Sequence, residues 1–213
     1  LSQKSLGWRL VKDCPQFLTV TVFLHCSPTG VQRLPIRWLI RSVVKMPWII
    51  CIVLALLIGG LRIGPPLLSP ESYLIGGWGH PDNLGNHWLI VWVSEQLMTG
   101  QSILHNDQYY WPVGDYPWLA GNGSEGILFL PFYWLLGWPA GVVPLVLFYF
   151  VGIGLGGYCL GRVVGAGSWL SLIPSSIMLS TPFWTREMNA GRFSQLDGVW
   201  LIGSVVGLLW LMQ

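Results

Sequence analysis

The sequence predicts an all-α, polytopic membrane protein: a bundle of transmembrane helices with a large outer loop that carries an amphipathic surface helix. Three observations predict it. Only 9% of the 213 residues are charged, where soluble domains carry about 25%, and mean hydropathy is +0.56. Long uncharged apolar runs recur with Trp or Tyr near their ends, the pattern of spans with interfacial anchors. Six of the nine acidic residues (Glu71, Asp82, Glu95, Asp107, Asp115 and Glu125) and three of the four His fall within 64–126, so the polar chemistry is gathered in one stretch. The net charge of +2 is small. No basic residues interleave with aromatics as a nucleic-acid groove requires, which argues against nucleic acid as a partner and for membrane lipids. Cys14, Cys26, Cys51 and Cys159 show no CxxC spacing, and neither a metal site nor a disulfide framework is read from them.

Residues 1–45 form an N-terminal segment. Its apolar stretch FLTVTVFLHC is too short to span a bilayer as a helix. The segment is either cytoplasmic or lies upstream of a native start at Met46. Arg33, Arg37, Arg41 and Lys45 recur every four residues. They place the N-terminal side in the cytoplasm by the positive-inside rule, or alternatively meet anionic lipid. A first span follows at about 46–62, uncharged from Met46 to Leu61. It delivers residues 64–126 to the outer face.

Within that outer loop, 83–99 reads as one helix ending at Gly100. Leu84, Trp88, Val91 and Trp92 share one face; Asn83, His87 and Ser94 share another. A helix with these two sides suits the membrane surface. Next, ILFLPFYWLLGWP is interrupted by Pro131 and stopped by Gly137 and Pro139, as expected of a partly embedded or re-entrant piece. Further spans are expected at 140–161, 167–184 and 197–212, with TREMNAGRFSQLD (185–197) on the outer side. Residues 46–213 therefore read as the N-terminal part of a larger transmembrane domain.

Three clusters carry candidate chemistry. In GGWGHPDNLGNHW, Asp82 follows Pro81 at the start of the surface helix. It is either an N-cap or a carboxylate whose pKa is raised at the bilayer surface and which acts as a general base. His80, Asn83 and His87 lie around it. One Asp and two His make a weakly specific metal set, so no metal ligands are assigned, and a divalent cation stays open as a cofactor. In REMNAGRFSQLD, Arg186 and Arg192 have the geometry to bind phosphate; the plainer reading is a polar turn between spans. In YYWPVGDY, the aromatic rings, Tyr110 among them, together with Asp115 suit a sugar, or else form an interfacial aromatic belt.

The order of these features resembles the N-terminal third of bacterial multi-pass membrane glycosyltransferases of the GT-C fold, and of the related YfhO-like membrane proteins. One span leads to an outer loop with Asp in GHPDNLGNHW, then YYWPVGD, FLPFYWLLG, a span ending in Gly-Arg, and a span pair enclosing GRFSQLDGVW. The resemblance covers roughly 46–213. It implies transfer of a sugar from a polyprenyl-phosphate donor at the outer face of the cell membrane, with Asp82 as catalytic base or metal ligand and Arg192 near the donor phosphate. Many members have two neighbouring acids in the first loop; here Glu95 and Asp107 are distant from Asp82. The alternative is a non-catalytic or transport-type multi-pass membrane protein, although a transporter needs ionisable groups within its spans.

Overall fold

The computed structural model of the chain describes residues 46–76, 81–104, 106, 123–196 and 198–212, all within one compact unit of residues 36–213. The N-terminal segment 1–45, with its basic stripe, lies outside the described residues. The described residues are helical without strands. The helices are α1 (Pro47–Ile63), α2 (Pro65–Leu68), α3 (Pro81–Thr99), α4 (Gly123–Leu136), α5 (Val142–Val163), α6 (Leu172–Ser180), α7 (Pro182–Asn189), α8 (Phe193–Leu196) and α9 (Gly198–Leu211).

Helix α5 is the pillar, with α1, α6 and α9 packed around it. Its sequence FVGIGLGGYCLG explains why three helices fit on one. A Cβ on Gly152 would stand 2.5 Å from Val199 Cγ2 of α9, and one on Gly156 would stand 2.6 Å from Ile202 Cγ2. On another side, Gly157 and Gly161 would meet the Cα atoms of Ser175 and Ser171, on and just before α6, at 2.8 and 2.9 Å. On a third side, Gly154 would meet Cys51 Sγ and Ala55 Cβ of α1 at 3.3 Å. Small residues at four-residue spacing let helix backbones approach closely, the packing found where lipid supplies no hydrophobic drive between helices. Across the α1–α6 contact, Cys51 Sγ and Ser175 Oγ lie 3.1 Å apart in a hydrogen bond.

The same contacts fix direction. Val199 and Ile202 follow Gly152 and Gly156 in order, so α9 runs with α5. Ser171, Ser175 and Leu179 meet Gly161, Gly157 and Gly154, so α6 runs against it. Cys51 lies by Gly154 and Gly59 by Phe150, so α1 also runs against it. The helices alternate, and Ile63, Val142, Ser180 and Gly198 lie at one common end of the bundle.

Among the described residues only α5 is long and apolar enough to cross a membrane; α1, of 17 residues, and α9, of 14, are shorter apolar helices. The segment 167–184, expected as a span, is not one helix. Residues 168–171 are turn, α6 has 9 residues, and the chain breaks at Thr181 before Pro182. The cause is local. Pro182 has no N–H for the Met178 carbonyl, and the residue before a proline is pushed out of the helical region; Thr181 accordingly has φ −58° and ψ 126°. The Met178 carbonyl instead accepts from the Trp184 indole N–H at 2.9 Å. Arg62 Nη1, at the end of α1, donates to the Thr181 carbonyl at 3.3 Å, with its guanidinium 5.9 Å from the Phe150 ring centroid.

Pro131 does not interrupt its segment, another correction. Helix α4 runs through it from Gly123, so residues 123–126 belong to this helix and not to a loop. The Pro131 ring is exposed, as is Ile127, whose carbonyl loses its partner. The end expected at Gly137 is observed: its φ is +69°, and its N–H donates to Tyr133 O at 2.8 Å.

Many large apolar side chains stay exposed on the bundle exterior: Val53, Leu57 and Leu61 on α1, Ile173 and Ile177 on α6, and Leu201, Leu208 and Leu211 on α9. Helix α9 buries none of its residues. An apolar exterior of this extent marks contact with lipid or with other protein.

Candidate functional site at the loop end of the bundle

Helix α3 begins at Pro81, two residues before the expected start, and ends where the sequence places it. Gly100 takes φ +69°. Its N–H donates to Leu97 O at 3.3 Å and that of Gln101 to Gln96 O at 2.8 Å, the two bonds of a Schellman cap. Pro81 at the first helical position suits its fixed φ and missing donor. Asp82 is thereby the second residue of the helix and not its N-cap. The side chain of Asp82 lies outside the described residues, as do His80, Tyr110 and Asp115.

The polar face of α3, expected toward water, faces inward. Asn83, His87 and Ser94 are buried together with Ile90, while Leu84 on the other face is exposed. Trp92 is also buried and stacks on Trp88, with centroids 6.3 Å apart. Helix α4 covers part of this surface. Ser94 Oγ donates to Ile90 O at 2.9 Å and to Gly126 O at 3.1 Å, tying the two helices. Near the far end of α3, Tyr133 OH donates to Glu95 Oε1 at 2.9 Å.

His87 has both ring nitrogens engaged. The Trp138 indole can only donate, so Nδ1 accepts from it at 3.2 Å; the Ile75 carbonyl can only accept, so Nε2–H donates to it at 3.0 Å. The partners thus specify the neutral Nε2–H tautomer. Burial pushes the imidazole pKa below its usual value, partly offset by the bond to Ile75. His87 ties the 69–76 segment and the α4–α5 turn to α3. In this conformation both of its nitrogens are taken up by these two bonds.

Asn83 makes the decisive contact. It is completely buried, and its side chain lies where a Cβ on Gly76 would fall, 2.6 Å from Oδ1. Next to Gly76 is Gly191, where a Cβ would come within 2.7 Å of Asn83 Cα. Gly191 itself has φ +67°, so both its conformation and its neighbour exclude a side chain. Asn83 thus packs these two glycines against α3. Its contact brings the two sequence clusters side by side: Asp82 adjoins Asn83, Arg192 adjoins Gly191, and consecutive Cα atoms are ~3.8 Å apart.

The second cluster is not a polar turn throughout. Its first residues, to Asn189, belong to α7, and Phe193–Leu196 form α8. Gly191 N–H donates to Met188 O and Arg192 N–H to Glu187 O, both at 2.9 Å, so α7 also closes in a Schellman cap. Arg192 is thereby set beside the helix that carries Arg186. Arg186, Asn189, Ala190 and Arg192 line an open depression of about 470 Å³. Arg186 is exposed. Arg192 Nη1 stands 3.7 Å from Glu187 Oε2, with side-chain exposures of 40% and 9%. Sequence reasoning passed over Glu187, and over Glu125 and Asn106, which are buried at this end of the fold. No periodic signal marks them, because each sits at a helix start, a helix end or a loop.

Among the described residues no group of three His, Cys, Asp or Glu could hold a metal ion. Comparison of the chain with protein-family models, curated proteins and solved structures found no match.

Proposed function

We propose that the chain is the N-terminal part of a polytopic membrane glycosyltransferase that moves a sugar from a polyprenyl-phosphate donor to an acceptor at the outer face of the cell membrane. The observation that carries the reading is the Asn83–Gly191 contact. It makes neighbours of two clusters more than a hundred residues apart in sequence, one with a carboxylate in the first turn of a helix and one with two guanidinium groups around a depression. The apolar exterior of the bundle supports lipid surroundings for the helices.

In this reading Asp82 accepts the proton of an acceptor hydroxyl as its oxygen attacks the anomeric carbon. The bond from that carbon to the phosphate oxygen breaks, and its electron pair leaves with the polyprenyl phosphate. Arg186 and Arg192 stabilise that charge, because guanidinium groups already in place need little reorganisation. His80, Tyr110 and Asp115 contribute to sugar binding. Asn83 and His87 hold α3 in position.

The test is Asp82→Asn in the full-length protein, assayed for sugar transfer from a polyprenyl-phosphate donor at equal membrane abundance. The amide keeps shape and hydrogen-bonding capacity at the helix start but cannot accept the proton. Turnover is expected to fall by ~10²-fold or more, the lower range of general acid–base contributions, with folding little altered. Near-wild-type turnover would remove Asp82 from the reaction and leave a non-catalytic membrane protein as the reading.

A further inference from the structure

We infer that Arg62 is a positioning residue for Arg186: its bond from the end of α1 to the Thr181 carbonyl fixes the direction in which α7 leaves the bundle, and so the place of the guanidinium group that α7 carries. The consequence for the reaction rests on the phosphate reading of the depression; the hold on α7 does not.

Three observations carry it. First, side-chain donors take up the carbonyls around the break between α6 and α7. Thr181 Oγ1 donates to Ile177 O at 3.0 Å, the Trp184 indole to Met178 O at 2.9 Å, and Arg62 Nη1 to Thr181 O at 3.3 Å. Of these donors only Arg62 stands on another helix, 119 residues away in sequence. Second, among the described residues no carboxylate pairs with Arg62. Its guanidinium is half-buried, over the Phe150 ring and against the Thr181 carbonyl. A charge withdrawn from water is costly unless it is hydrogen-bonded, and that carbonyl is the acceptor it has. Third, α7 touches the bundle lightly. Its extensive neighbour is α8, and only Trp184 and Met188 of α7 enter the core. Beyond its far end Gly191 packs on Asn83, so Arg62 holds the end that would otherwise swing.

The lever is short enough to matter. Arg186 stands about 7.5 Å along the chain axis from Thr181, so a tilt of about 10° at the break moves its backbone by about 1.3 Å. A displacement of about 1 Å from productive geometry can cost on the order of 10²-fold in rate. In the proposed reaction Arg186 meets charge that develops as the bond between sugar and phosphate breaks. Its misplacement therefore lowers kcat more than it raises KM for the donor.

The experiment uses the full-length protein in neutral detergent. It reads amide hydrogen exchange along the chain, and kcat and KM for sugar transfer from a polyprenyl-phosphate donor. Arg62→Met keeps the apolar stem and cannot donate. Amides of α7 are expected to exchange about tenfold faster, with those of α5 unchanged. The rate constant kcat should fall about tenfold while KM changes less than about threefold. Arg62→Lys can still donate to the Thr181 carbonyl and face the Phe150 ring, and should restore kcat to within about threefold of wild type. In an Arg186→Gln background the Met substitution should cost less than about twofold, because both changes act through one group. Arg62→Gln, too short to reach the carbonyl, gives the same reading if the Met variant does not fold. Unchanged exchange in α7 would overturn the inference. So would exchange raised equally in α1, α5 and α7, the mark of a general packing defect, or a loss that adds in full to that of Arg186→Gln. If the wild type transfers no sugar from this donor, or Arg186→Gln leaves transfer unchanged, the phosphate reading falls, and exchange in α7 still decides whether Arg62 holds that helix. If Arg186→Gln is costly while Arg62→Met alters neither rate nor exchange, only the role of Arg62 falls.

Discussion

The bundle and its loop end are held together in opposite ways. Around α5 the contacts are apolar and the helices meet through glycines: Gly152 and Gly156 seat α9, Gly157 and Gly161 seat α6, and Gly154 seats α1. At the loop end polar side chains are buried among the apolar ones, with Asn83, His87, Ser94, Glu125 and Glu187 all below 9% exposure. The bundle surrounds itself with exposed Leu, Ile and Val, while the loop end turns its polar side chains inward. Dispersion and close fit suffice where backbones touch. Specific hydrogen bonds are needed where short helices and turns meet, because their backbone groups are not all satisfied within one helix. The difference teaches that the bundle serves as support and that the loop end is where position is specified residue by residue.

The hardest test of this contrast is Gly191→Ala. The substitution imposes a side chain at φ +67° and drives it into Asn83. A cost of about 3 kcal/mol is expected, from strained backbone and overpacking together, with loss of the arrangement of Asp82 and Arg192. Thermal unfolding of the full-length protein in detergent and sugar-transfer activity should both fall. Activity that survives intact would separate the two clusters functionally and break the comparison at its most specific point.

Gly161→Val probes the bundle in the same manner. Its side chain would press on the Ser171 backbone and on Pro174, for about 2 kcal/mol of overpacking. Because the contact lies at the end of α5 remote from the depression, stability should drop while the transfer rate per folded molecule stays near wild type. A matching loss in rate would show that the two regions are coupled, not merely stacked.

A smaller effect sharpens the picture at His87. The fold holds its imidazole neutral and lowers its pKa. Below the ordinary value near 6.5 the unfolded chain takes up a proton that the folded one refuses. Stability is therefore full above that pH and declines as pH falls through it, by at most ~1.4 kcal/mol per pH unit for this one group. His87→Gln should flatten that part of the stability–pH curve. An unchanged slope would assign the acid sensitivity to other groups.

How much of this was legible in the sequence depends on whether the deciding contact was local. The end of α3 at Gly100 and that of α4 at Gly137 were legible, because a glycine with positive φ closes a helix through bonds to its own last turn. The apolar helices α1, α5 and α9 were legible from composition. The break at Thr181 was missed, although Pro182 announces it, because hydropathy continues unbroken across the proline. Pro131 misled in the other direction: an exposed proline within an otherwise favourable helix did not stop it. The inward turn of Asn83 and His87 could not be read from periodicity. Periodicity shows that two faces differ; which of them is covered was decided by Gly76, Gly191, Ile75 and Trp138, none of them on α3. The pairing of the Asp82 and Arg192 segments was expected only to the extent of lying on one face, and their direct contact required the glycines to be seen in place.

The brevity of α6 bears on how such a chain is made. Nine residues rise only about 13.5 Å, roughly half the hydrocarbon thickness of a bilayer. If the chain is membrane-inserted as proposed, a segment that short has little reason to leave the insertion machinery for lipid unaided. Helix α5, with 22 residues, is long enough to do so and precedes α6 in synthesis. Its two spaced glycines then offer the shorter helix a fitted berth as it emerges. In the membrane setting proposed above, biogenesis acquires an order, with the pillar inserting first and recruiting its neighbour, and damage to the α5 berth should be felt as failed delivery of the arginine-bearing segment that α6 carries behind it.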